Sequence, residues 1–299
     1  PKLAAHQDAI TLNPALFARI KTLHEQKDSL GLNEEDAWLL HKYYNDFIHA
    51  GSHLSAEQRE TLKGINEELS KLDTEFSKRL LADTKDLAVV VDDVAELDGL
   101  TPNQIAACAA AAKDRGLDGK WLIGAVNFTG NPILTSLTNR SLRERIMKAS
   151  LEKGGRGNAN DTREVLVQMA ALRAKRAELF GFKSHADYVL SIQTAKKPEN
   201  VHAMLRQIAP SAVNNAKKEA ADIQAAIGSD FTIESWDWDF YTEKVRQAKY
   251  NLDSAKMREY SELETVLRGG VFYAAGKLFG LSFKERPDLV SYHPESRAF

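Results

Sequence analysis

Cysteine is almost absent from this chain of 299 residues: Cys108 stands alone, so no intrachain disulfide can form. That usage fits a reducing compartment, and a cytoplasmic location is the expectation. Long apolar runs are missing too. The longest run of small apolar residues, IAACAAAA from Ile105 to Ala112, falls far short of the roughly 20 residues that span a bilayer. Nor does charge of one sign prevail, since 40 Lys and Arg face 42 Asp and Glu, spread along the whole chain. A basic stripe for nucleic acid and a cationic face for membranes both lack support, so neither partner is expected.

Catalytic signatures are scarce as well. The stretch GGRG at 154–157 lacks the Lys-Ser/Thr and the preceding strand of a phosphate loop, and no G-x-S-x-G elbow occurs. His24-Glu25-Gln26-Lys27-Asp28 is a near miss for H-E-x-x-H. In that motif two histidines one helical turn apart hold zinc and the Glu acts as base, but here Asp28 takes the place of the second His and no third ligand is recognisable. A solvated helix face is the expectation there. His49 and His53 flank Gly51-Ser52 and read as a loop with incidental histidines, His185 as a helix-start residue, and Cys108 as a buried structural thiol. No catalytic residue and no metal ligand is assigned.

What the chain does have is helical punctuation. Asn13-Pro14 caps a helix carrying Leu16, Ile20 and Leu23; a second runs from about Asn33 to Ala50, stopped by Gly51. Ser55 opens a third, whose apolar residues Leu62, Ile65, Leu69, Leu72, Phe76 and Leu80 form a narrow stripe. Helical from Ser55 to Asp83, it is a rod of about 43 Å. Leu87–Val91 (LAVVV) and Trp121–Ala125 (WLIGA) are strand candidates on either side of a helix opened by Thr101-Pro102. Farther on, Asp161 with Glu164 has the form of a capping box. Pro198 starts a long helix that Pro210 is expected to kink or split. A last helix from Glu262 to Leu278 is interrupted at Gly269-Gly270 and closed by Gly280. The fold class is mostly α, built of long helices with a minor β element. The glycine-rich break suggests two regions, 1–153 with the small β element and 158–299, although a surface loop fits that break equally.

The stretch SWDWDFYTEKVRQAKYNLD, residues 235–253, carries the densest chemistry. Ser235 is placed to cap the turn, with Asp237 and Asp239 near a helix N-terminus. Trp236 and Trp238 lie two apart and cannot share one helix face, so a buried anchor and a residue reaching a cleft are both open readings.

This stretch, followed by Gly270-Val271-Phe272, Phe283 to Arg286, and Tyr292-His293-Pro294 with Arg297, resembles the zinc oligopeptidases of the thimet oligopeptidase family, and within it the bacterial peptidyl-dipeptidase branch. NRSLRERIMKAS and NANDTREVLVQMAALRAKRAELFGFKSHADYVL extend the resemblance upstream through nearly the whole chain. The resemblance implies a helical, two-lobed molecule with a deep channel that admits short peptides, zinc held by H-E-x-x-H and a later Glu, and removal of C-terminal dipeptides. It places Asp237, Trp238, Tyr241 and Arg246 among substrate-channel residues, without a catalytic role.

In that family H-E-x-x-H follows the Y-H-P-x-x-R segment, and this sequence ends at Phe299. The start PKLAAHQ and the end YHPESRAF read as cuts through something longer. The expectation is a non-catalytic portion of a zinc peptidase, holding no cofactor itself, with zinc in the complete enzyme and a C-terminal zinc lobe as its partner. A stand-alone peptide-binding or partner-binding helical protein is the alternative, and an inactive remnant a third.

Overall fold

A computed structural model describes residues 2–125, 132–250 and 257–299. The last three residues of the Trp-Asp-Trp stretch, 251–253, lie outside the described residues. Packing divides the chain into two compact units, Pro1–Thr242 and Glu243–Phe299.

The first unit begins with helices α1 (Lys2–Thr11), α2 (Pro14–Glu25), α3 (Glu34–Ala50) and α4 (Ala56–Asp86). Their starts are set by side chains that satisfy the free N–H groups of a first turn. The Asn13 Oδ1 accepts from the N–H groups of Ala15 and Leu16, Asn33 Oδ1 accepts from Asp36, and Ser55 with Gln58 forms a reciprocal capping box. Gly51 closes α3 with φ of 107°. A Cβ there would come within 2.6 Å of Leu62 Cδ2, so this turn needs glycine both for its backbone and to let α4 approach. Along α4, Leu62 packs with Leu12 and Leu54, while Leu72 meets Val165 and Met169 of α7 (Arg163–Leu179).

The second part of this unit is a small mixed core. Strands β1 (Val89–Val91) and β2 (Trp121–Ile123) pair antiparallel, with Val89 opposite Ile123 and Val91 opposite Trp121. Helix α5 (Pro102–Lys113), capped by Thr101 and Gln104, connects them, and α6 (Arg140–Leu151) packs beside. Val91, Leu97, Ile123, Leu137, Leu142 and Ile146 are buried together here. Cys108 lies in the same cluster, and burial pushes its thiol above the ordinary value.

The glycine-rich break is a structured loop anchored on α4. Asp83, fully buried, accepts from the Gly154 N–H at 2.6 Å, from the Arg156 guanidinium and from Asn158 Nδ2 at 3.3 Å. Burial raises its carboxyl pKa, but these donors outweigh that and hold it below the usual carboxylate value. The expected capping box at Asp161 does not form. Thr162 occupies the N-cap position of α7, and Asp161 instead accepts from the Gly157 N–H and the Arg163 guanidinium.

Helix α8 (His185–Leu190) precedes α9 (Pro198–Ile227), which runs through Pro210 without splitting. Pro210 and its neighbours are exposed, so the Arg206 carbonyl that loses its helical donor faces water and the usual penalty is reduced. Helix α10 (Trp238–Tyr250) follows a 3-10 turn at Ser235–Asp237. In the second unit, the helix expected from Glu262 becomes a π-helix, Thr265–Phe272, that contains Gly269-Gly270 and leads into α11 (Tyr273–Phe279). No described helix is long and apolar enough to cross a membrane. The architecture is mostly α with a two-stranded sheet.

Replacing Asp83 by Ala leaves the buried Gly154 N–H and the Arg156 guanidinium without their acceptor. It is expected to cost about 3 kcal/mol in urea unfolding, whereas Asp46→Ala, which removes only an exposed ion pair with Lys42, should leave the midpoint almost unchanged. Cys108, in turn, should react with a thiol reagent roughly a hundredfold more slowly in the native protein than in denaturant, as a buried neutral thiol does.

Candidate functional site

The start of α10 is held by a buried ion cluster. Asn139 caps α6 by accepting from the Leu142 N–H at 3.0 Å, and so fixes the first turn from which Arg140 and Arg143 project. Three residues apart on a helix, these two side chains share a face. Both reach Asp237. Arg140 donates from Nε to Oδ1 at 3.0 Å and from Nη2 to Oδ2 at 2.8 Å, and Arg143 donates from Nη2 to Oδ1 at 2.9 Å. The Glu234 N–H donates to Oδ2 at 3.2 Å.

Arg143 is itself 1% exposed, a position that an unpaired guanidinium could not hold. Its Nε donates to the Trp236 carbonyl at 3.1 Å, and its Nη1 to the carbonyls of Leu137 and Thr138 at 2.9 and 3.0 Å. Four donor contacts thus replace water around one side chain. Aromatic faces complete the cluster: the Arg143 guanidinium lies 4.4 Å from the Phe240 ring centroid and that of Arg140 lies 4.1 Å from Phe231. Burial raises the Asp237 carboxyl pKa, but the hydrogen bonds from Arg140 and Arg143 prevail and hold it below the ordinary value.

These contacts decide where the expected site residues stand. Asp237 is fully buried and saturated by its partners, so in this structure it anchors the helix and presents no oxygen to a bound peptide. Glu234, not Ser235, is the residue preceding the turn, and its backbone is the one tied to Asp237. Trp236 and Trp238 are both half-buried, and Trp236 is the one that packs against the mixed core. Tyr241, also half-buried, sits edge-on to Phe231 and Phe240 at 6.1 and 5.1 Å between centroids. Arg246 belongs to the second unit, where it forms a two-pronged pair with Glu243, both contacts at 2.7 Å.

The near miss for a zinc motif takes no such shape. His24 stacks on Tyr44 with centroids 3.9 Å apart, and Asp28 lies in the separate 3-10 turn Lys27–Ser29. Among the described residues no three His, Cys, Asp or Glu side chains converge as a metal site would require. His49, expected in a loop, lies in the last turn of α3 and is bonded to Tyr188. In the second unit Arg297 pairs with Glu264 and Glu285, and Phe272 stacks on Phe283 at 4.2 Å.

Sequence reasoning missed Arg140 and Arg143. Their signal was present as two arginines at helical spacing beside a capping Asn. It points to one face of α6 but names no partner 94 or 97 residues away.

The profile described as Peptidase family M3 matches residues 133–299, more than half of the chain. The chain belongs to peptidase family M3. Across its whole length it is 39% identical to the dipeptidyl carboxypeptidase of Escherichia coli (strain K12) and 38% identical to that of Salmonella typhimurium, covering 44% of each. It is 27% identical to the oligopeptidase A of Escherichia coli (strain K12), covering 45% of it. The chain therefore spans less than half the length of these M3 relatives.

For this M3 chain, Asp237→Ala is expected to cost about 3 kcal/mol of stability, because Arg143 is left buried without its counter-charge. A depressed carboxyl pKa also fixes the sign of the pH dependence. The contribution of Asp237 is fully present above the unfolded value of about 3.9 and is lost as pH falls through the lower folded value. Urea titrations between pH 7 and pH 3 should therefore show the gap between native and variant narrowing only below about pH 4.

Proposed function

We propose that the complete protein is a zinc peptidase that removes C-terminal dipeptides from short peptides, and that this chain supplies helical scaffold and part of the wall of the peptide channel. The observation that carries the reading is the 39% identity to a dipeptidyl carboxypeptidase along the entire chain. Oligopeptidase A matches the same length at lower identity, 27%, which favours the dipeptidyl carboxypeptidase reading.

The described residues bring no three His, Cys, Asp or Glu side chains together and so do not fit zinc. In this reading the zinc lobe belongs to the part of the relatives' length that this chain does not span. It would supply the metal that activates water for attack on the peptide carbonyl. The contribution of this chain is positional. Trp238 and Tyr241 offer half-buried aromatic faces to a peptide, and Arg246 offers a cation already oriented by Glu243. Asp237 acts one step back, by fixing the turn from which Trp238 and Tyr241 project.

The test is hydrolysis by the full-length protein of an N-blocked tripeptide with a free C-terminal carboxylate, compared with its amide, with products read by mass spectrometry. Release of the C-terminal dipeptide from the free acid, abolished by a chelator and restored by zinc, is the expected result. Trp238→Ala should raise KM about tenfold with little change in kcat, the pattern of lost uniform binding. Peptide binding without turnover in the full-length protein would replace this reading with that of a binding protein.

A further inference from the structure

A cavity of about 760 Å³ opens in the first unit between α3, the turn that follows α7, α8 and the loop leading to α9. It is remote in sequence from the α10 start, and no residue of the α10 cluster lines it. Its volume falls in the range of small-molecule sites. The walls are unusually aromatic: Trp38 and His49 come from α3, Phe180 and Phe182 from the turn, and Tyr188 from α8.

These walls are fixed before any ligand arrives. The Tyr188 hydroxyl donates to the His49 carbonyl at 2.8 Å, and His49 Nε2 donates to the Tyr188 carbonyl at 3.1 Å. The two rings stack at 4.1 Å with 17° between their planes. Phe180 and Phe182 lie 5.0 and 5.6 Å from the same tyrosine ring. Trp38, by contrast, is 67% exposed and lines the cavity with only a tilted contact to His41, 5.5 Å between ring centroids.

The charges are unequal. Lys42 is paired with Asp46 at 2.5 Å, but Lys196, which also lines the cavity, has no carboxylate partner among the described residues. Lys196 is also the one described residue other than glycine with positive φ, at 63°. That conformation crowds an L side chain and persists only when its surroundings enforce it. Here the Lys196 N–H donates to the Gln193 carbonyl at 3.0 Å, and the Ala195 carbonyl accepts from the Lys197 N–H and from Asn200 Nδ2, each at 2.8 Å.

We infer that this cavity binds an aromatic carboxylate, with its ring against Trp38 and the Phe180–Phe182 wall and its carboxylate on Lys196. A metal does not suit it, since among the described residues no three His, Cys, Asp or Glu side chains converge here. A polyphosphate does not suit it either, because a single uncompensated cation cannot balance several negative charges. An aromatic ring with one carboxylate matches both the walls and the charge. Two sources share that chemistry: a free aromatic amino acid and the C-terminal aromatic residue of a peptide. The inference does not rest on the peptidase reading and can stand or fall without it.

Isothermal titration of the full-length protein with N-acetylphenylalanine and with its amide tests the charge requirement directly. The acid is expected to bind at least tenfold more tightly. Lys196→Gln should abolish that preference, and Trp38→Ala should weaken both ligands about fivefold; both residues are exposed, and unchanged near-UV circular dichroism checks the fold. Stronger binding of N-acetyl-alanyl-phenylalanine than of free phenylalanine assigns the peptide end as the source, and the reverse assigns the free amino acid. Equal affinity for acid and amide in the unmodified protein overturns the inference, as does binding that survives both substitutions unchanged.

Discussion

The region around α10 depends on one buried carboxylate. Asp237 takes hydrogen bonds from Arg140 and Arg143, and through them the turn at Ser235–Asp237 is fastened to α6 and to the mixed core. Bringing two guanidinium groups and a carboxylate out of water is costly, and the cost is offset only when almost every donor finds an acceptor. Arg143 meets that condition with three backbone carbonyls besides Asp237, while Arg140 keeps part of its side chain in solvent. The arrangement is therefore specific as well as cohesive. Sliding α10 by one residue would strand a buried arginine, so the position of Trp238 and Tyr241 is set by electrostatics as much as by packing.

The same logic recurs elsewhere on a smaller scale. Asp83 collects the glycine-rich loop onto α4, which turns a segment with few apolar residues into a fixed connection. In the second unit Arg297 gathers Glu264 and Glu285 beside the Phe272–Phe283 stack. Those pairs are exposed, and pairs of that kind hold weakly in solvent. They align neighbouring segments more than they stabilise them.

A consequence concerns the motifs by which this chain is related to other M3 peptidases. Arg140 and Arg143 lie in NRSLRERIMKAS and Asp237 in SWDWDFY, so two of those stretches are joined physically in the core of the first unit. Phe272, Phe283, Glu285 and Arg297, from three more, meet one another in the second. Much of what makes the sequence recognisable is thus scaffolding: side chains that hold each other.

Local structure was legible in the sequence because its causes are local. The caps at Asn13, Asn33, Ser55 and Thr101, the stop at Gly51 and the two β-branched or aromatic strand segments each act within a few residues. Family membership was legible for a different reason, since several ordered motifs in one chain identify a fold without explaining it. Local rules failed where tertiary partners competed. Asp161 had the spacing of a cap but was taken by Arg163, and Pro210 was passed because its surroundings are solvent. The burial of Asp237, the exchange of hydrogen bonds between His49 and Tyr188 across 139 residues, and the positive φ of Lys196 were decided only by the folded chain. A side chain's charge and size are written at its own position, but whether it meets water, a counter-ion or a ring depends on which distant segment packing brings to it.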